Sequence, residues 1–120
     1  MRITHFTVAG VFLECASGCS IQNNYIDAFA APESDGITTN PGAGNPSIPV
    51  RFACNQFIRN QVISCHRGIA SFGGNYLESN FVSNCEFGLV MSFQEKYRFN
   101  TTAFCATPII NGIPLTDGNN

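Results

Sequence analysis

The most constraining feature of this 120-residue sequence is an internal repeat of 20 residues. Shifting the sequence by that interval superimposes asparagine on asparagine, cysteine on cysteine and glycine on glycine. The superimposed sets are Asn60/Asn80/Asn100, Cys65/Cys85/Cys105 and Gly68/Gly88. A repeat of this length is typical of a solenoid, in which each coil buries its apolar face only by stacking on its neighbours.

The clearest coil extends from Asn75 to Met91 and predicts three short strands, around Leu77, around Val82 and from Leu89 to Met91. Alternation in the third strand directs Leu89 and Met91 inward and Val90 outward. We expect Asn80 to occupy a tight bend that needs left-handed dihedral angles, and the stacked asparagines to form an amide ladder. We expect Gly88 to permit a sharp entry into the third strand.

The same template extends in both directions along the chain. Asn24 heads the asparagine row, and residues 9–13 resemble the third strand of a partial coil. We therefore predict a single all-β domain over 1–120, with about four to five coils between residues 10 and 110. Two segments depart from the repeat: an irregular insertion at 39–53, rich in Gly, Pro, Asn and Ser, and a C-terminal tail at 111–120.

Composition excludes several classes of function. The net charge is −2, and the six basic residues are scattered, which argues against nucleic acid as a partner. No apolar run is long enough to span a membrane, and the residues after Met1 do not form a convincing signal peptide. We expect neither a membrane partner nor a compartment signal, with the cytoplasm slightly favoured. No His/Cys cluster has ligand spacing, so no metal or cofactor is expected.

Six cysteines could indicate a disulfide framework. Equivalent residues on adjacent coils lie about 4.8 Å apart, but their side chains point in parallel rather than toward each other. We therefore interpret Cys65, Cys85 and Cys105 as a stack of small buried thiols. A bridge among the other three, Cys15, Cys19 and Cys54, stays open.

These motifs resemble a known repeat family. The asparagine row, together with Cys-x-x-Gly-Ile at 65–69 and Cys-x-x-Gly-Leu at 85–89, is similar to the repeats of the pectate-lyase-like superfamily. The resemblance covers residues 10–110 and implies a single-stranded, right-handed parallel β-helix. Members include polysaccharide lyases, polygalacturonases, uronan epimerases and phage tailspikes, so the fold does not choose among activities.

Many enzymes of that superfamily carry acidic residues on the outer face of the third strand. Here the outward positions are Phe12, Thr38, Ala70, Val90 and Ile110. They provide no aspartate pair for calcium binding or for acid–base cleavage of a glycosidic bond. This absence favours a binding or assembly module over an enzyme, although a small polysaccharide-acting enzyme with a site near the 30–53 loops is the alternative.

The best polar constellation lies on the turn before the third strand. His66 and Glu86 occupy equivalent positions on adjacent coils and can pair. The candidate ligand-binding residues are Asp27, Glu33, Asp35, His66, Arg67 and Glu86. One interpretation is a solvated edge with a weak surface ion pair; the other is a binding edge for a sugar or an acid, with His66 as a titratable group.

The apolar outward positions Phe12, Ala70, Val90 and Ile110 are candidate interface residues. Either the loop at 39–53 or the tail at 112–120 covers them, or they form a self-association surface. The unpaired strand edges at the ends of a solenoid also need a cap or a partner. We favour a self-associating module that binds carbohydrate.

Overall fold

A computed structural model describes residues 1–14, 16–40 and 54–115. The described residues form β-strands, turns and bends, and no helix. Cys15, residues 41–53 of the predicted insertion and residues 116–120 of the predicted tail lie outside the described residues.

Fifteen short strands, numbered in chain order, make up the described part of the chain. They are β1 (Arg2–Thr4), β2 (Ala9–Glu14), β3 (Ser20–Gln22), β4 (Tyr25–Asp27), β5 (Asp35–Asn40), β6 (Gln56–Ile58), β7 (Gln61–Ile63), β8 (Arg67–Ser71), β9 (Tyr76–Glu78), β10 (Phe81–Ser83), β11 (Phe87–Met91), β12 (Lys96–Arg98), β13 (Thr101–Ala103), β14 (Thr107–Ile110) and β15 (Ile113–Pro114).

Consecutive strands belong to different sheets, and every third strand returns to the same one. Sheet A has the order β1-β4-β7-β10-β13, sheet B β2-β5-β8-β11-β14, and sheet C β3-β6-β9-β12-β15. Every pairing is parallel. Three five-stranded parallel sheets with this connectivity are consistent with a parallel β-helix.

The register confirms the 20-residue repeat. Phe81 pairs with Gln61 on one side and with Thr101 on the other. Leu89 likewise lies between Ile69 and Ile109. The strand predicted at 9–13 is also confirmed, since these residues lie in β2, which pairs in parallel with β5.

The core consists of stacked equivalent residues from the three sheets. Its fully buried members include Ile26/Val62/Val82 of sheet A, Ile37/Ile69/Leu89 of sheet B and Phe57/Leu77 of sheet C. Burial of each such side chain contributes about 1.5–3 kcal/mol. Ile109 continues the sheet B stack but is 41% exposed, because β14 is the last described strand of that sheet.

The asparagine side chains hydrogen-bond from one coil to the next. Each side-chain oxygen accepts from both the backbone N–H and the side-chain Nδ2 of the preceding asparagine, at 2.9–3.1 Å. The row comprises Asn24, Asn60, Asn80 and Asn100. The Nδ2 groups also donate to backbone carbonyls, as from Asn80 to Phe57 at 2.8 Å.

The expectation that Asn80 itself adopts left-handed dihedral angles is wrong. The left-handed residue of this bend is Ser79, with φ of 57°, and the equivalent residues Asn23, Arg59 and Phe99 behave in the same way. The left-handed residue redirects the chain so that the asparagine after it points inward. Asn80 is therefore placed by its buried hydrogen bonds and not by tolerance of a strained backbone.

The glycine of the repeat is required by crowding and not by a sharp bend. Gly88 lies inside β11 and has no positive φ. A Cβ on Gly68 would lie 2.7 Å from the carbonyl oxygen of Gly88 and would also meet the side chain of Val82. Gly88 meets the carbonyl oxygen of Pro108 in the same way. Each coil thus approaches the next through a position without a side chain.

The cysteines of the repeat are free thiols, as predicted, and so are Cys19 and Cys54. Cys65 and Cys85 are buried, and each thiol donates to the carbonyl two residues earlier, at 3.3 Å. A hydrogen bond with Cys85, together with burial, raises the pKa of the Cys65 thiol well above its ordinary value. Burial also raises the pKa of Cys105. The hydrogen bond with Cys65 lowers the pKa of the Cys85 thiol. Cys65 and Cys85 are both buried, so we interpret them as packing groups of the core.

A second buried polar row runs beside sheet C and was not anticipated. The side-chain oxygen of Asn75 accepts from the backbone N–H of Asn55 at 2.9 Å. In the next coil the equivalent residue is Glu95, whose carboxylate is fully buried and accepts from the N–H of Gly74 at 2.9 Å. The change from asparagine to glutamate hides this row from a search for identical residues.

Two further strands were also not anticipated. β1 lies ahead of the first predicted coil and pairs with β4. β15 lies within the predicted tail and pairs with β12. Both are short strands at the ends of their sheets.

Candidate functional site

The candidate site lies where the chain passes from sheet A to sheet B. In three coils this connection has three residues: 64–66, 84–86 and 104–106. Between β4 and β5 it has seven, residues 28–34. Phe29, Ala30 and Glu33 of this longer connection adopt left-handed dihedral angles, which fold the extra residues into a compact bend.

The bend is attached to the adjacent coil. The backbone N–H of Ala30 donates to the carbonyl of Ser64 at 2.9 Å, and Ala28 is buried in the core. The N–H of His66 donates to the hydroxyl of Ser34 at 3.3 Å. The bend therefore forms a wall beside the turns of the next two coils.

An open pocket of about 200 Å³ lies between that wall and those turns. Its lining residues are Ala30, Ala31, Pro32, Ser64, Cys65, His66, Asn84 and Glu86. The bend contributes an apolar side and the turns contribute a mostly polar side. A pocket with this division can hold a small ligand that has both hydroxyl groups and an apolar face.

His66 and Glu86 form the pair that the repeat predicts. His66 Nδ1 lies 2.9 Å from Glu86 Oε2, and the imidazole meets the ring of Phe87 edge-on, with centroids 5.3 Å apart. The two contacts fix the orientation of the imidazole. A neutral imidazole that donates Nδ1–H to the carboxylate can use its second nitrogen as an acceptor for a ligand hydroxyl.

Arg67 and Asp35 form a separate ion pair next to this pocket. The guanidinium donates from two nitrogens to the two carboxylate oxygens, each at 2.6 Å. The hydrogen bond with Asp35 raises the pKa of Arg67 above its ordinary value. Neither residue of the pair lines the pocket.

The two remaining candidates do not reach the pocket. Asp27 is buried and accepts from the N–H of Phe29 at 2.8 Å and from the hydroxyl of Tyr25 at 3.3 Å. It holds the start of the bend. Glu33 is exposed within the bend and is not a lining residue. Of the six candidates, the structure brings only His66 and Glu86 into the pocket.

The candidate interface residues differ in exposure. Phe12 is 53% exposed, while Val90 and Ile110 are partly exposed. Ala70 is fully buried. It therefore does not belong to an exposed apolar strip, because its small side chain is covered in the middle of sheet B.

Several lining residues were not identified from the sequence. Ser64 and Asn84 precede the repeated cysteines and have left-handed φ angles of 54° and 53°. Their shared position was a detectable signal. No sequence signal marked Ala30, Ala31 and Pro32, because their place in the pocket lining depends on how the non-repeating bend folds.

The described residues contain no group of three or more His, Cys, Asp or Glu side chains that could hold a metal ion. In the same part of the chain no helix combines the length and apolar character needed to cross a membrane. Comparisons with protein-family models, curated proteins and solved structures gave no match.

Proposed function

We propose that this protein is a non-catalytic binding module whose ligand is a carbohydrate. The supporting observation is the pocket in which the His66–Glu86 pair faces the apolar wall of residues 30–32. Hydroxyl groups match the polar side, and the C–H face of a sugar ring matches the apolar side. The pocket volume of about 200 Å³ suits a ligand smaller than a drug-sized molecule, on the scale of one ring.

We propose further that the fold is a single-stranded, right-handed parallel β-helix of four to five coils, of the pectate-lyase-like type. The parallel pairing at intervals of 20 residues supports this assignment. So do the coil-to-coil hydrogen bonds of the asparagine row, which we interpret as an amide ladder. In this interpretation the ladder and the cysteine stack are internal seams, and the binding site lies on a turn outside them.

The hydrogen bonds and ion pairs of the carboxylates favour a binding function over a catalytic one. Asp35 is occupied by Arg67, and Asp27 is occupied within the bend. Within residues 1–14, 16–40 and 54–115, Glu86 is then the one carboxylate of the pocket lining. A glycoside hydrolase ordinarily needs two carboxylates facing the scissile bond. The alternative, a small polysaccharide-acting enzyme with its site near the 30–53 loops, predicts turnover of a bound oligosaccharide.

A glycan array with the purified chain tests the proposal, followed by titration of any bound glycan. His66→Ala and Glu86→Ala are expected to weaken binding at least about tenfold, equivalent to ~1.4 kcal/mol. Glu78→Ala is the matched control, because Glu78 pairs with Arg98 on sheet C at 2.8 Å, away from the pocket. Equal binding by wild type and both pocket variants would refute the site, and release of shortened glycan would favour the enzyme.

A second candidate function is self-association, and it rests on the exposure of Phe12 together with the partly exposed Val90 and Ile110. The terminal strands of the described sheets also offer unpaired edges. Light scattering at micromolar concentration tests it. We expect a dimer or larger species that Phe12→Ser weakens; a strict monomer would eliminate this function.

A further inference from the structure

We infer that the pocket beside His66 selects a neutral hydroxyl-bearing ring over a ring that carries a carboxylate. The inference rests on the proposed function and specifies its ligand class. It runs against the expectation from the pectate-lyase-like resemblance, whose enzymes include several that act on acidic uronans.

Among the residues that the structure describes, the pocket lining contains a carboxylate and no lysine or arginine. Glu86 is more than half exposed, and its Oε2 is bound to His66 Nδ1. A ligand carboxylate in a pocket of about 200 Å³ would come close to the Glu86 carboxylate. Two carboxylates a few ångströms apart repel each other even in water. The Glu86 carboxylate therefore disfavours the binding of an anionic ring.

Arg67 is the cation nearest in sequence to His66, and it is already engaged. Nε donates to Asp35 Oδ1 and a terminal nitrogen donates to Asp35 Oδ2, each at 2.6 Å. A bidentate pair of this kind orients the guanidinium toward Asp35. Arg67 does not line the pocket, and moving its guanidinium into the pocket would leave Asp35, which is only about one-tenth exposed, without its partner.

The other polar groups of the lining suit hydroxyl groups. The hydroxyl of Ser64 and the amide of Asn84 both donate and accept hydrogen bonds, as sugar hydroxyls do. Neither carries a charge that would favour an anion. Opposite them, Ala31 and Pro32 offer apolar surface for the C–H face of the ring.

The test measures the dissociation constants of neutral and anionic monosaccharides for the full chain, by NMR titration near neutral pH and at constant ionic strength. The neutral probes are the methyl glycosides of glucose, galactose and mannose; the anionic probes are glucuronate and galacturonate. We expect the uronates to bind at least about tenfold more weakly than the best neutral sugar.

Glu86→Gln removes the charge and retains an acceptor for His66. This variant should reduce the difference between neutral and anionic probes to about threefold or less, mainly by strengthening uronate binding. Glu78→Gln is the matched control and should leave the difference unchanged, since Glu78 pairs with Arg98 on another sheet.

The outcomes separate the inference from the function on which it rests. Uronate binding as tight as neutral binding, or a difference that Glu86→Gln does not reduce, overturns the selectivity while leaving a carbohydrate-binding pocket. If no probe of either charge shifts the resonances of Ser64, His66 and Asn84, the proposed function fails and the selectivity fails with it.

Discussion

Two connections between sheets A and B lie side by side and differ in length and in backbone conformation. Residues 64–66 pass from β7 to β8 in a three-residue turn with one left-handed residue, Ser64. Residues 28–34 pass from β4 to β5 in seven residues with three left-handed ones. Both deliver the chain to sheet B in register, since Asp35 pairs with Arg67.

The repeating residues therefore form the scaffold, and the residues that depart from the repeat form one wall of the pocket. The short turns stack on one another and leave a smooth edge. The four additional residues of the longer connection fold outward and form one wall of the pocket above that edge. Loops held by a rigid scaffold commonly carry function in this way.

Loss of the Asn80 side chain should destabilise the scaffold more than any other substitution considered below. Asn80→Ala removes the side-chain oxygen that accepts from the backbone N–H and from Nδ2 of Asn60. It also removes the Nδ2 group that donates to the carbonyl of Phe57 and to the side-chain oxygen of Asn100. Because these groups are buried or partly buried, we expect the free energy of unfolding to fall by about 3–5 kcal/mol. Chemical denaturation monitored by circular dichroism measures it.

The neighbouring Ser79→Asn is the matched control for that variant. Ser79 is exposed and left-handed, and asparagine tolerates this conformation, so stability should change by less than about 0.5 kcal/mol. Equal losses in the two variants would mean that the buried amide hydrogen bonds do not stabilise the stack.

The next effect tests the crowding between coils. Gly68→Ala places a methyl group 2.7 Å from the carbonyl oxygen of Gly88, which cannot move without shifting the next strand. We expect a loss of about 2–3 kcal/mol. Gly18→Ala is the control, with a left-handed φ of 68° but open space around it, and should cost about 1 kcal/mol. A larger loss of stability in Gly18→Ala than in Gly68→Ala would indicate that left-handed backbone strain costs more than crowding between coils.

Replacing the long connection with a short one tests whether residues 28–34 form the pocket wall without being needed for the fold. Replacing residues 28–34 with the sequence Ser-Cys-His of 64–66 should leave the fold intact. The stacking of His5 on Phe29, with ring centroids 3.9 Å apart, is lost, so we expect a decrease of about 1 kcal/mol. Carbohydrate binding should disappear. Unchanged binding by a folded swap variant would contradict the assignment of the wall.

The smallest effect concerns a bulky residue in a left-handed turn. Phe104 has a φ of 56° and is 87% exposed. Phe104→Asn relieves the backbone and sacrifices little packing, so we expect stabilisation by about 0.5–1 kcal/mol. Phe93→Asn is the control, because Phe93 is also well exposed but has no positive φ, and should be near neutral. Thermal unfolding of both variants measures the difference.

The sequence predicted the stack because the identical residues Asn60/Asn80/Asn100 and Cys65/Cys85/Cys105 recur every 20 residues and set the register of the repeat. That register also places Leu89 beside Ile69 and His66 beside Glu86. Positions with different residues in equivalent environments were missed: Glu95 continues the row of Asn55 and Asn75. β15 was missed because its register, Tyr97 with Pro114, departs from 20 residues.

The pocket could be predicted only in part. The repeat locates His66 and Glu86, but it contains no information on how seven non-repeating residues fold. The burial of Ala70 was left open by the sequence for a related reason. Alternation gives the face of a sheet on which a side chain lies, but not what covers that face.

NMR measurement of scalar couplings across hydrogen bonds tests directly whether equivalent asparagines stack on one another. The stack predicts a coupling from the backbone amide of Asn60 to the side-chain carbonyl of Asn80, and another from Asn80 to Asn100. Observation of both would establish that these residues lie directly above one another. Couplings from these amides only to carbonyls close in sequence would contradict the account.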